Sequence, residues 1–303
     1  MKFGFDEMVK QCGEGKMKKV SISVAQDDAV LEAVRAAKKR GIADAILVGD
    51  REKMKAVADG IQMDLSEYEI VHVADDIEAS LKAVKLARDG EADMYMKGAI
   101  DTKNFLKSVL DKEAGLRTGG PLSHVSVFEI STMDRLLFLG DVAFMTYPNL
   151  EDKVNIIKNI LPVAKACGID CPKVAALAAV EVVNPKMSVT VDAVELTKMN
   201  QDGRLGGCIV DGPLSLDLAL DPEAAKHKGA TDRLIQGDAD VLIFPDIHAG
   251  NIAYKLFVHF TQMKNGCMIT GTKVPVILTS RSDSFETKMN SLALAAVCSS
   301  QKY

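Results

Sequence analysis

The chain of 303 residues is 48% hydrophobic and 26% charged, with a formal net charge of −5. This is the composition of an ordinary globular protein, and the length is enough for two domains. The small negative charge gives no reason to expect a nucleic acid or an acidic membrane as a partner.

The N-terminal residues 1–16 mix charged and apolar side chains and lack the continuous apolar segment of a signal peptide. No apolar run approaches the roughly 18 residues that a membrane span requires. The six cysteines are scattered, which is typical of reduced thiols. We therefore expect a cytoplasmic protein without a membrane partner.

The first half of the chain alternates short β-rich runs with helical windows. Residues 27–41 have acids in the first turn, bases in the last turn and a final glycine, a pattern typical of a helix. Residues 124–130 and 135–141 are joined by a short polar segment, which predicts a hairpin. The predicted strands of this half are 18–25, 44–49, 68–74, 92–98, 124–130 and 135–141.

The alternation restarts after Pro148. Strands alternating with crossover helices predict an α/β fold with mainly parallel sheets and helices on both faces. A domain boundary is expected near Tyr147–Asn149, where the first series ends, while residues after Ser280 fit either domain. The predicted helices are 151–167, 188–199, 223–236 and one from about 250, and the predicted strands are 173–179, 208–212, 238–245 and 274–278.

Common cofactor and metal motifs are absent from the sequence. No G-x-G-x-x-G follows a strand, and GCMITGTK (266–273) ends in Thr-Lys and precedes a strand rather than a helix, unlike a P-loop. The five histidines have no metal-ligand spacing, so no bound metal is expected. His72, inside a predicted strand, is interpreted as a core residue.

The segment MKGAIDT (96–102) is the strongest local signal of the first half. Gly98 permits a close turn after the strand, and Asp101 or Thr102 can cap the next helix. Backbone N–H groups at that helix start, with Lys97 nearby, would suit a phosphate. A capped helix with solvated lysines explains the segment equally well.

A glycine-rich loop then leads into the strand that Ser123 and His124 open. Its Arg117 could clamp a phosphate through two hydrogen bonds. The commoner alternative is an exposed loop cation.

Carboxylates follow two strands of the second half. Asp211 and Asp217 lie in DGPLSLDLAL (211–220), and Asp246 precedes Asn251 in FPDIHAGNIAYKL (244–256). Such carboxylates can act as acid–base partners or orient a ligand. Helix capping is the commoner role.

The segment TSRSDSFET (279–287) follows the last predicted strand. Asp283 and Glu286 have the spacing of a capping box, with Asp283 at the N-cap. Ser280 and Arg281 would then lie on the turn between strand and helix.

These segments together resemble the phosphate acetyltransferase and phosphate butyryltransferase family over nearly the whole chain, and the butyryltransferase branch most. The resemblance implies two α/β/α domains with an interdomain cleft, as in isocitrate and isopropylmalate dehydrogenases. The final helix would return to the first domain, giving domains 1–147 plus 281–303 and 148–280. The implied reaction interconverts acyl-CoA and phosphate with acyl phosphate and CoA.

The resemblance also implies the site. Ser280 and Arg281 match active-site residues of the acetyltransferase branch, whose aspartate seven positions after the serine is Thr287 here. Glu286 could replace that base, the base could come from elsewhere, or Arg281 and a helix N-terminus could favour the thiolate. The expected phosphate and CoA ligands are Lys97, Gly98, Thr102, Arg117, Ser123, His124, Asp246 and Asn251.

No resident cofactor is implied, because coenzyme A enters as a substrate, and the family suggests a homo-oligomer. Three alternatives remain open at this point. They are an acetyl-CoA enzyme, an acyltransferase that uses acyl carrier protein, and a non-catalytic acyl-CoA-binding or regulatory domain.

Overall fold

The computed structural model describes residues 3–279 and 283–300. Its strands are β1 (Lys18–Ser23), β2 (Ala43–Gly49), β3 (Glu69–His72), β4 (Met94–Lys97), β5 (Ser123–Ile130), β6 (Leu136–Gly140), β7 (Lys173–Leu177), β8 (Ile209–Leu214), β9 (Val241–Ile243), β10 (Met263–Thr270) and β11 (Val276–Ile277). Its helices are α1 (Phe5–Glu14), α2 (Asp28–Lys39), α3 (Arg51–Gly60), α4 (Asp76–Arg88), α5 (Thr102–Leu110), α6 (Leu150–Ala166), α7 (Ser188–Gln201), α8 (Leu216–Leu220), α9 (Pro222–His227), α10 (Ile247–Phe260) and α11 (Phe285–Ser299).

The described residues form two compact units. The flanking unit contains residues 5–120, 264–279 and 283–300, and the central unit contains residues 3–4 and 121–263. Each unit has its own mainly parallel set of strands and its own helices. The predicted α/β class is confirmed.

In the flanking unit the strand order is β3-β2-β1-β4-β11-β10, and among its described strands β10 and β11 are the pair that runs antiparallel. The chain moves outward from β1 to β3 and then returns to place β4 on the other side of β1. Because parallel crossovers are right-handed, helices before and after this reversal cover opposite faces of the strands. Ligands of such folds bind where the strand order reverses, which here is between the carboxyl ends of β1 and β4.

The central unit has the strand order β5-β6-β9-β7-β8. β5 and β6 form the predicted antiparallel hairpin, and the other pairs are parallel. The amino end of β5 therefore lies at the same edge as the carboxyl ends of β6 and β9. The order reverses between β7 and β9, so this edge is the expected ligand side.

The last helix, α11, is the most buried helix end to end. Every residue from Thr287 to Cys298 is buried, and the helix packs against α1 and α2 of the flanking unit. A helix that is apolar around most of its circumference needs a partner on each side. The chain therefore returns to pack among its own first helices.

The two compact units differ from the domains proposed from sequence. The changes between them fall at 4/5, 120/121 and 263/264, whereas the proposed boundaries were 147/148 and 280/281. The reason is the hairpin, since β6 pairs in parallel with β9 and so belongs with the second half of the chain. The hairpin therefore lies in the central unit, near its beginning.

Other differences concern short or irregular segments. The predicted helix 223–236 is wrong beyond His227, where α9 ends. α1 and β10 were not predicted from the sequence. His72 is exposed on β3, so its assignment to the core was wrong; its Nδ1 accepts a hydrogen bond from the Arg51 N–H at 3.2 Å. Within the described ranges, no helix combines the length and apolar character needed to cross a bilayer.

Candidate active site

The β1–β4 strand ends of the flanking unit approach each other closely. The Gly98 N–H donates to the Ser23 carbonyl at 2.8 Å, and the Ala99 N–H donates to the Val24 carbonyl at 2.7 Å. A Cβ on Gly98 would lie 2.3 Å from the Val24 oxygen, so only glycine fits. Val24 itself has φ 55°, a strained conformation for a β-branched residue.

Lys97 lies at this reversal of strand order. Its side chain is 4% exposed, and its Nζ donates to the Gly98 carbonyl at 3.3 Å. A buried ammonium requires polar or anionic neighbours. Lys97, the residue predicted to bind phosphate, thus lies at the expected ligand edge of the flanking unit. Its ammonium group is close to the backbone turn at Gly98.

The next helix, α5, begins with the predicted cap. Asp101 Oδ1 accepts the Asn104 N–H at 3.0 Å, and this backbone hydrogen bond lowers the pKa of the Asp101 carboxyl. Thr102 is the first residue of the helix and is exposed. The capping interpretation of this segment is confirmed, and phosphate binding there stays a prediction.

Arg117 lies in a loop that is fastened to the segment after β10. The Lys273 N–H donates to the Leu116 carbonyl at 2.9 Å, and Thr118 Oγ1 donates to the Gly271 carbonyl at 2.7 Å. The Arg117 side chain is exposed and makes no ion pair within 3–279 and 283–300. Phosphate binding by Arg117 stays a prediction.

The start of α11 differs from the predicted capping box. The N-cap is Ser284, whose Oγ accepts the Thr287 N–H at 3.1 Å, so Asp283 lies one residue before it. Glu286 is exposed in the first turn and does not cap. The assignment of Asp283 as N-cap was therefore wrong, because a serine one position later makes the same contact.

Thr287 occupies the position at which the resemblance implies an aspartate. Its Oγ1 donates to Asn265 Oδ1 at 2.9 Å, and both residues are buried. A threonine hydroxyl is no base near neutral pH. Besides Glu286, the proposed catalytic residues are Ser280 and Arg281, and both lie outside the described residues.

In the central unit, Ser123 and His124 open β5 and are buried. Ser123 Oγ accepts a hydrogen bond from Asn159 Nδ2 at 3.0 Å. Burial lowers the pKa of His124 to about 4. The imidazole is therefore neutral at pH 7 and cannot offer a positive charge to phosphate.

Asp141, directly after β6, was not singled out from sequence. Its N–H donates to the His124 carbonyl at 2.8 Å, and its Oδ1 accepts N–H groups of Ala143, Phe144 and Met145 at 3.3, 2.7 and 3.2 Å. The side chain is buried, burial raises the pKa of its carboxyl, and Oδ2 has no hydrogen-bond partner in the described part of the chain. The residue has φ 45° and fixes the loop that leaves the sheet.

That loop is connected to the start of α10. Asp246 caps the helix, with Oδ1 accepting the N–H groups of His248 and Ala249 at 2.9 and 3.0 Å. The exposed Asn251 donates through Nδ2 to the Val142 carbonyl at 3.1 Å. Both residues thus lie at the ligand edge of the central unit with structural partners, and their contact with substrate stays a prediction.

Asp211 and Asp217 have structural roles. Asp211 is buried in an ion pair with Arg233 at 2.8 Å and accepts the Leu234 N–H at 2.9 Å. Asp217 bonds to Ser215 and Lys228, and these contacts lower the pKa of its carboxyl to about 2. The ion pair and the backbone hydrogen bond occupy Asp211, and the lowered pKa of Asp217 makes that carboxylate a poor proton acceptor near neutral pH.

A cavity of about 530 Å³ lies at the opposite edge of the flanking unit, near the amino end of β1. Its walls include Cys12, Lys16, Lys18 and Val297 and none of the predicted site residues. Across residues 3–279 and 283–300, no three His, Cys, Asp or Glu side chains are grouped as metal ligands.

The sequence model described as phosphate acetyl/butaryl transferase matches residues 4–79 and 74–296. The chain belongs to this family. The resemblance identified from the motifs is therefore confirmed.

Named relatives in the phosphate acetyl/butaryl transferase family cover nearly all of the chain. It is 54% identical to a phosphate butyryltransferase of Clostridium acetobutylicum, over 98% of this chain and 99% of the relative. It is 43% identical to a phosphate acetyltransferase of Thermotoga maritima, over 97% and 99%.

A solved branched-chain phosphotransacylase from Enterococcus faecalis V583 is 36% identical, with a TM-score of 0.84 over 93% of this chain and 99% of that one. The same fold also occurs in a solved protein with low sequence identity to this chain. A 4-hydroxythreonine-4-phosphate dehydrogenase from Klebsiella pneumoniae has a TM-score of 0.57 at 11% identity, which reflects a shared fold alone.

Proposed function

We propose that this protein is a phosphate acyltransferase that converts a short-chain acyl-CoA, with butyryl-CoA preferred, and phosphate into acyl phosphate and CoA. The observation that carries the proposal is the 54% identity, over 98% of the chain, to a relative named phosphate butyryltransferase. Coenzyme A is a substrate in this reaction, and no resident cofactor takes part. The six scattered cysteines, interpreted as reduced thiols, fit a cytoplasmic enzyme.

In the proposed reaction a phosphate oxygen attacks the thioester carbonyl carbon, the C–S bond breaks, and CoA leaves as a thiolate that takes up a proton. Both the phosphate and the tetrahedral intermediate carry negative charge, so cations and N–H donors supply most of the rate enhancement. We assign phosphate binding to Lys97 and Arg117, stabilisation of the intermediate to Arg281, and a hydrogen bond to the acyl oxygen or thiol to Ser280. The exposed Glu286 remains the proposed proton acceptor for the thiol in the reverse direction.

The proposal is tested by thiol release from a panel of acetyl-, butyryl- and isovaleryl-CoA, with and without phosphate. Release that requires phosphate and is fastest with butyryl-CoA is expected. Fastest release from acetyl-CoA would favour the acetyltransferase alternative, which the Thermotoga relative suggests. No phosphate-dependent release from any of the three would favour a non-catalytic acyl-CoA-binding protein.

Replacing Arg281 with alanine is expected to lower kcat/KM by more than about tenfold, because the variant lacks the proposed cation beside phosphate and oxyanion. The exposed Arg51→Ala serves as the matched control and should retain wild-type kinetics. Both variants need wild-type unfolding temperatures for the comparison to hold. A loss in Arg281→Ala that corresponds to less than about 1.4 kcal/mol would contradict the assigned role.

We also propose that the protein forms a homo-oligomer through α10. Ile252, Leu256 and Phe260 are 60%, 53% and 82% exposed and follow one another every four residues, so they form one apolar row on the helix. Contiguous exposed apolar surface marks protein–protein contacts, and a second copy of the chain supplies a self-complementary row.

Phe260→Asp is expected to shift the particle mass in solution to that of a monomer, since a charge in the row would be buried without a partner. The measurement is light scattering coupled to size-exclusion chromatography. Ile77→Asp, a similar change at another exposed apolar residue (53%) in the flanking unit, should leave the mass unchanged. An unchanged mass for Phe260→Asp would rule out this row as the interface.

A further inference from the structure

Tyr147 and His248 form an exposed aromatic pair at the ligand edge of the central unit. Tyr147 is 72% exposed, and its hydroxyl lies 3.0 Å from His248 Nε2. The two rings are 5.6 Å apart with an interplanar angle of 54°. The hydroxyl is thus already satisfied by a partner, while the face of the Tyr147 ring stays open.

The backbone beneath the pair is fixed on both sides. The Ile247 N–H donates to the Thr146 carbonyl at 3.1 Å, and Asn251 Nδ2 donates to the Val142 carbonyl at 3.1 Å. Asp141 Oδ1 holds the same loop from below through the N–H of Phe144 at 2.7 Å. A large ring on a fixed support loses little conformational freedom when it binds a ligand.

The chemistry of the substrates decides what such a ring can bind. Phosphate is an anion and gains nothing from the negative face of an aromatic ring. A butyryl chain needs an enclosed apolar pocket, and a side chain that is 72% exposed does not enclose one. The adenine of CoA has a flat π surface, and stacking of bases on tyrosine is a common mode of binding.

We propose that the ring of Tyr147, carried on this fixed backbone, stacks on the adenine ring of bound CoA and so contributes to affinity for the nucleotide part of the substrate. This inference rests on the proposed function, since it assumes that CoA is a substrate. Tyr147 and His248 are outside the set of residues expected to touch phosphate or the thioester.

The test compares butyryl-CoA with S-butyryl pantetheine, which carries the same thioester and lacks the nucleotide. Tyr147→Ala is expected to raise KM for butyryl-CoA by about fivefold or more, with kcat retained and kcat/KM for the pantetheine thioester unchanged. Tyr147→Phe keeps the ring and is the matched control, expected within about twofold of wild type. Calorimetric titration with adenosine 3′,5′-bisphosphate should show the same order, with weaker binding only in Tyr147→Ala.

Two outcomes would overturn the stacking role. One is an equal loss with both thioesters, which indicates a structural role for Tyr147. The other is an unchanged KM for butyryl-CoA in Tyr147→Ala, which shows that the ring does not contribute to binding of the nucleotide part. Absence of turnover in the wild-type protein would instead count against the proposed function, and the titration with the bisphosphate would still decide the stacking.

Discussion

Replacing Asp192 with leucine is expected to cost about 3–5 kcal/mol of unfolding free energy, because it leaves a buried ammonium without its partner. Lys153 Nζ on α6 lies 2.6 Å from Asp192 Oδ2 on α7, and the two side chains are 6% and 27% exposed. Lys153 also lies in the first turn of its helix, where the helix dipole disfavours a positive charge. Asp192 therefore supplies most of the compensation for the buried lysine.

The reverse change separates the charge effect from packing. Lys153→Met leaves a carboxylate that still reaches water, so a smaller cost of about 2 kcal/mol is expected. The double variant Lys153→Met with Asp192→Leu should return to within about 1 kcal/mol of wild type. Urea unfolding of all four proteins gives the coupling between the two positions, and additive costs would show that the pair is not a unit.

The alternation of strands and helices was predictable because buried parallel strands are short apolar runs that stand out from helical windows. β10 was missed because Asn265 and Gly266 interrupt its apolar run, although its last six residues are buried. α1 was missed because its apolar face consists of only a few residues, with Phe5 and Met8 buried. His72 was assigned to the core because it lies inside a strand. β3 is the edge strand beside β2, and most of its surface is exposed.

The residues of the candidate site were predictable where a polar residue or a glycine follows a predicted strand. Lys97 ends β4, Gly98 follows it directly, and Asp246 lies in the short segment between β9 and α10. The rule that ligands bind after such strands depends only on strand direction. Asp141 was not predictable in the same way. Its importance comes from a positive φ, burial and an unpaired oxygen, none of which a Gly-Asp pair after a strand reveals.

In each unit, a residue with positive φ directly follows a strand. Val24 after β1 and Asp141 after β6 both have positive φ, 55° and 45°, and both lie at a ligand edge. In each case hydrogen bonds from the next segment hold the turn, the Ala99 N–H to the Val24 carbonyl and the Phe144 N–H to Asp141 Oδ1. Strained backbone of this kind persists only where surrounding contacts enforce it, as is common near binding sites.

Acidification is expected to destabilise the protein through His124. Burial lowers the pKa of the folded state from 6.5 to about 4, so the unfolded chain binds a proton first as the pH falls. Stability from this group is therefore complete above pH 6.5 and is lost progressively as the pH falls towards about 4. Full titration over this window corresponds to a loss of about 3 kcal/mol.

The measurement is urea unfolding between pH 7 and 4 for wild type and His124→Gln, which has no titrating group at this position. The variant should be less stable at pH 7, where the well-packed imidazole is neutral, and its stability should fall by about 3 kcal/mol less over the same window. Ser126→Ala is the matched control, because it removes the Oγ that lies 3.5 Å from His124 Nδ1 and leaves the imidazole buried. Parallel pH curves for wild type and His124→Gln would mean that the imidazole reaches water in the folded protein, and would restore His124 as a possible cation for phosphate.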